Sequence, residues 1–172
     1  MHSKFKLILK ILLEIIIGII LFLILLLIPK SKPISKIQDY TECINAIQNK
    51  EKITHFPKII PTNAKAQLYC YPAEYNGQGE LVILRLTTDK TYIEYELKSH
   101  TFLNSQTPIG TGQNIYNMPT ETVGIPKEDL TFYVLKNKDN EYYYKTYFPY
   151  FTGIGVDKNL ENIVYYYIEP SD

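Results

Sequence analysis

Hydrophobic and polar positions divide the chain into stretches with different periods. Residues 7–28 read LILKILLEIIIGIILFLILLLI, apolar on every side and interrupted only by Lys10 and Glu14. A helix rises about 1.5 Å per residue, so roughly 20 apolar residues cross a hydrocarbon core about 30 Å thick. The run meets that length if Lys10 reaches back toward the headgroups, with Glu14 one turn away to pair with it. The exit, LLLIPKSKP, carries no small-residue cleavage pattern, and the first cysteine comes only at Cys43. The expectation is therefore an uncleaved transmembrane signal anchor over residues 1–29, touching the bilayer through 7–28, with a linker over 30–36.

Beyond the linker the period changes. Ile37, Tyr40, Ile44 and Ile47 recur at steps of three and four, predicting an amphipathic helix with Ser35 as its N-cap. Ala66, Leu68 and Cys70 then alternate with Gln67, Tyr69 and Tyr71, and Val82, Leu84 and Leu86 alternate with Ile83 and Arg85. Alternation is the mark of strands, and the turn chemistry of Asn76–Gly79 between the two runs predicts a hairpin. In TYIEYELKSH, Ile93 and Leu97 stand four apart behind the capping candidates Thr88 and Asp89, which favours a helix over a strand. Thr101–Lys127 shows no period and is punctuated by glycine and proline, predicting a long irregular loop.

The last third reads as a meander of 130–136, 141–148 and 162–170, with turns at 138–140 and 157–159. Residues 37–172 are thus expected to form one α+β domain. Its core would be an antiparallel sheet of about five strands with one or two helices packed on one face.

Charge narrows the partners. The chain has 18 basic and 18 acidic residues; setting aside Lys4, Lys6, Lys10 and Glu14 leaves 15 against 17. Nucleic-acid binding calls for a basic field, which this composition lacks. Arg85 is the sole arginine, which argues against recognition of phosphate by paired guanidinium groups. The basic residues ahead of the span bias the N-terminus toward the cytoplasm, so a single-pass membrane protein with an extracytoplasmic C-terminal domain is expected. In that compartment Cys43 and Cys70 are candidates for a disulfide, with two buried thiols as the alternative. Their spacing fits no zinc motif.

Candidate chemistry is sparse. The chain has sixteen tyrosines, several of them crowded at Tyr142–Tyr144, Tyr147, Tyr150 and Tyr165–Tyr167. Neighbouring strand residues face opposite ways, so Tyr143, Tyr147 and Tyr166 are candidates for a ring-and-hydroxyl binding surface, with core packing as the competing role. His55 and His100 lack a nucleophile elbow nearby. Gly110-Thr111-Gly112 and Gly153-Ile154-Gly155 lack the third glycine of a dinucleotide loop and read as turns. No cofactor or metal site is expected.

His55-Phe56-Pro57, followed by Ile60-Pro61, makes an H-F-P-x-x-I-P element in which two prolines fix an extended path while Phe56 and Ile60 plug a core. This element, the Gly77 turn, and Gly153–Asp157 followed by Asn162–Tyr166 resemble those of a set of small uncharacterised bacterial membrane-anchored proteins. That resemblance implies a shared fold and assigns no activity. The leading functional expectation is a non-enzymatic, membrane-tethered module binding an unidentified protein or envelope ligand. An anchored protective protein of the immunity type is the alternative, and a hydrolase using His55 or His100 ranks third.

Overall fold

The computed structural model describes residues 13–21, 33–72, 79–106, 120–126, 129–136 and 152–169. The chain divides into two compact units, Met1–Ser31 and Lys32–Asp172. In the first, residues 13–21 are helical, and apolar side chains such as Leu13, Ile15 and Leu21 are more than half exposed. Among the described residues no helix is long and apolar enough to cross a membrane. The remainder of the expected span lies outside the described residues.

The second unit is α+β. Its strands, in chain order, are β1 (Lys65–Tyr71), β2 (Leu81–Thr87), β3 (Phe102–Gln106), β4 (Leu130–Leu135), β5 (Thr152–Asp157) and β6 (Asn162–Ile168). They form a six-stranded sheet in the order β1-β2-β6-β5-β4-β3, with every neighbouring pair antiparallel. The β1–β2 hairpin pairs Leu68 with Leu84 and Cys70 with Val82, so the two alternating apolar sets share one face. The helices are α1 (Tyr40–Ala46) and α2 (Lys90–Ser99). Short 3-10 turns occupy Ile37–Asp39, Lys50–Ile53 and Thr120–Val123.

One face of the sheet carries both helices. Tyr40, Cys43 and Ile47 from α1 and its exit, together with Ile93 from α2, pack on Leu84, Leu86, Ile154 and Tyr165. Asp89 caps α2 by accepting the Tyr92 amide at 2.8 Å, one of the two candidates the sequence offered. Cys43 and Cys70 form a disulfide that joins α1 to β1 and is buried at both ends. The bridge closes a loop across a separation of 27 residues. A cross-link of that span stabilises by about 3.5 kcal/mol in the chain-entropy account.

The expected first helix is shorter than its periodicity implied. It begins as a 3-10 turn, and Ser35 does not cap it; Lys36 and Asp39 hold the cap positions without side-chain bonds. The physical reason lies one residue earlier. Ile34 exchanges backbone hydrogen bonds with Cys70 at 2.8 and 3.0 Å, which holds the chain extended against β1 up to the helix start.

The opposite face is covered as well. Ile83, Leu130, Phe132, Val164 and Tyr166 meet Val123 and Ile125, which the Thr120–Val123 turn brings over the sheet. Two expectations are corrected here. The residues read as a Gly-Ile-Gly turn are the interior strand β5, hydrogen-bonded on both sides. The expected irregular loop begins with β3 and includes the Thr120–Val123 turn. The expected middle run of the meander, 141–148, lies outside the described residues.

Gly153 explains β5. A Cβ there would sit 2.3 Å from the Tyr166 hydroxyl and 2.4 Å from the Tyr133 carbonyl oxygen. Only a residue without a side chain lets the Tyr166 ring lie across the strand. Glycine marks a close approach inside the sheet here, not a reversal of the chain.

Candidate functional site

The H-F-P-x-x-I-P element adds Phe56 to the core on the helical face of the sheet, while Lys58 and Ile59 are exposed. Phe56 and His55 are each 5% exposed, with ring centroids 4.6 Å apart, and Phe56 lies 5.8 Å from the Tyr165 ring. Tyr40 donates its hydroxyl to the Pro57 carbonyl at 2.7 Å, fixing the extended path that the prolines begin. Ile60 packs at the edge of the same core.

His55 Nε2 lies 3.1 Å from the carbonyl oxygen of Tyr166. A carbonyl only accepts, so Nε2 carries the proton and donates, and in the neutral ring Nδ1 keeps a lone pair. Burial pushes the His55 pKa down to about 3, against the pull of the Tyr166, Gly153 and Lys52 carbonyls. His55 is therefore a neutral imidazole at physiological pH.

His100 stands where α2 ends and β3 begins, and its Nδ1 is 2.9 Å from the Ser99 hydroxyl. Ser99 donates its single proton to the Glu96 carbonyl at 2.9 Å, so its oxygen accepts from His100 Nδ1–H. The second imidazole lone pair then falls on Nε2. Burial lowers the His100 pKa, while the Glu96 carboxylate opposes it.

The two histidines line one open cleft of about 310 Å³. Glu51, Lys52 and Thr54 form one wall, Ser99 and Thr101 another, and Leu135 and Lys136 at the end of β4 a third. The Lys136 amide donates to the Thr101 carbonyl at 2.8 Å, holding the last two walls together. The cleft offers carboxylate, ammonium, hydroxyl and imidazole groups within one volume.

The tyrosine candidates fare differently. Tyr166 is 1% exposed, with its ring edge-on to Phe132 at 5.7 Å, so it is a core residue and not part of an open surface. The cause is the cover over the second face, supplied by a turn distant in sequence. Tyr143 and Tyr147 lie outside the described residues. Tyr165 and Tyr167 are buried on the helical face, and burial raises both phenols above their ordinary range.

Two functional-looking groups escaped the sequence reading. Arg85 donates to the Val123 and Gly124 carbonyls at 3.1 and 2.8 Å, to Gln67, and twice to Asn162 Oδ1. It clamps the covering turn onto the sheet. Glu80, 3% exposed, accepts from the Gln48 amide at 2.7 Å and from the Tyr167 hydroxyl at 3.5 Å. Neither residue stands in a recognisable motif, so only the tertiary fold exposes the role.

Comparison with protein-family models, with curated proteins and with solved structures gives no match to this chain. The fold and site together define a small disulfide-bonded α+β domain with a polar cleft at one end of its helical face.

Proposed function

We propose that this chain is a membrane-tethered, non-enzymatic binding module whose domain works on the oxidising side of the membrane. Residues 7–28 would supply the tether, and the His55–His100 cleft would be the place where an envelope ligand or partner protein docks. The observation that carries the reading is the Cys43–Cys70 disulfide: it uses both cysteines of the chain, and such bridges persist in oxidising compartments. The cleft supports the second half, because polar and charged residues line one volume and a backbone hydrogen bond joins two of its walls.

The test uses two variants of the full chain in cells. Ser35→Cys places a thiol on the exposed linker, and a membrane-impermeant thiol reagent should label it in intact cells. Thr101→Trp fills the cleft rim and should abolish cross-linking to envelope partners while leaving the thermal transition unchanged. Labelling that requires broken cells contradicts the compartment. Unaltered cross-linking in the Thr101 variant contradicts the cleft as the docking place.

A further inference from the structure

We infer that the cleft is a binding site for a borderline transition-metal cation of the zinc or copper class, ligated by His55 Nδ1 and His100 Nε2. This rests on the cleft being the functional site and names what it holds. Each imidazole already gives its N–H to a fixed acceptor, His55 to the Tyr166 carbonyl and His100 to the Ser99 hydroxyl. That is the arrangement metal-ligating histidines use to set their tautomer and aim the opposite nitrogen. Here it is found twice, on two rings lining a single cleft.

The remaining nitrogens are the second observation. His55 Nδ1 and His100 Nε2 are shielded from bulk water, and neither makes a hydrogen bond. A buried acceptor without a partner costs about 1–3 kcal/mol, and a cation held by both nitrogens would offset that cost. A cation does so without needing donor protons, and neutral imidazole nitrogen selects zinc or copper over magnesium or calcium.

Among the described residues no three His, Cys, Asp or Glu side chains converge on a metal position. The described residues supply two ligands, and the other positions go to water or to a donor from the docked partner. An open metal of this kind suits a binding module, because the partner completes the coordination shell.

Zinc titration of the full chain in detergent, followed by calorimetry, tests the assignment. One equivalent of Zn²⁺ should bind. His100→Gln should weaken binding at least about tenfold with an unchanged thermal transition, since His100 is only half-buried. Ser99→Ala should weaken it by about 10-fold or more through the lost orientation of the ring. His2→Gln, which removes the histidine of the N-terminal segment, should leave binding as it was. Absence of a stoichiometric zinc site overturns the metal assignment but leaves the docking cleft to be judged by the Thr101 variant. Binding that survives His100→Gln and is lost in His2→Gln overturns it too.

Discussion

The two faces of the sheet are held by different means. On the helical face, α1 and α2 lay apolar stripes over alternating strand residues, and the disulfide ties α1 to β1. The opposite face has no long helix over it among the described residues; the Thr120–Val123 turn covers it, clamped by Arg85 and set above a ring that crosses a glycine. The first face rests on area and a covalent link, both tolerant of small shifts. The second rests on close fit, where one added carbon has nowhere to go.

The largest effect should fall on the helical face. Replacing Cys43 and Cys70 together by serine should lower stability by about 3.5 kcal/mol, read by urea unfolding. A loss under about 1 kcal/mol would mean that the bridge adds little to packing already complete.

Close fit on the second face predicts unequal responses from two glycines two residues apart. Gly153→Ala should cost about 3 kcal/mol, because its Cβ would meet a hydroxyl and a backbone carbonyl well inside contact distance. Gly155→Ala meets the Phe132 ring at 3.1 Å and the Leu130 side chain at 3.3 Å, which can give way, and should cost about 1 kcal/mol. Equal costs at the two positions would remove the Tyr166 ring as the cause.

Arg85→Met keeps the stem and removes the clamp. A loss of about 2 kcal/mol is expected from hydrogen bonds of a charged donor. Hydrogen exchange should rise first in residues 120–125, with α1 unaffected.

Acid gives a graded test of His55. Its pKa is about 3 in the folded domain and near its ordinary value of about 6.5 when unfolded. Between those values the unfolded chain binds more protons, so stability is whole above about pH 6.5 and falls as pH drops toward 3. The slope is at most about 1.4 kcal/mol per pH unit for one histidine. His100, shifted the same way, adds a smaller slope of the same sign. His55→Asn should flatten the pH dependence of stability across this window, whatever it does to stability at neutral pH.

The comparison of faces also explains what the sequence made legible. β1, β2, α2 and the β4–β6 ends follow local period, and the Asp89 cap is a local signal. Gly153 and Gly155 looked like a turn because glycine pairs usually are. Their role depends on Tyr166 lying opposite Gly153 in β6, a register that no local window contains. Tyr166 was read as a surface candidate for the same reason, since its cover comes from residues about 40 positions earlier in the chain. The candidate site was half visible. His55 and His100 stood out by residue type, while their convergence, and the orienting Ser99 and Tyr166 carbonyl, arise from the packing of α2 and the 50–57 segment against the sheet.

The central claim is a disulfide-bonded binding domain on the oxidising side of a membrane, and the state of Cys43 and Cys70 in living cells tests it most directly. Cells would be quenched in acid, the protein denatured, and free thiols alkylated with and without prior reduction, followed by mass measurement of the intact chain. The account predicts no alkylation before reduction and two alkyl groups after it. Two alkyl groups without reduction would show both thiols free in the cell, and would contradict the bridge, the compartment and the proposed role together.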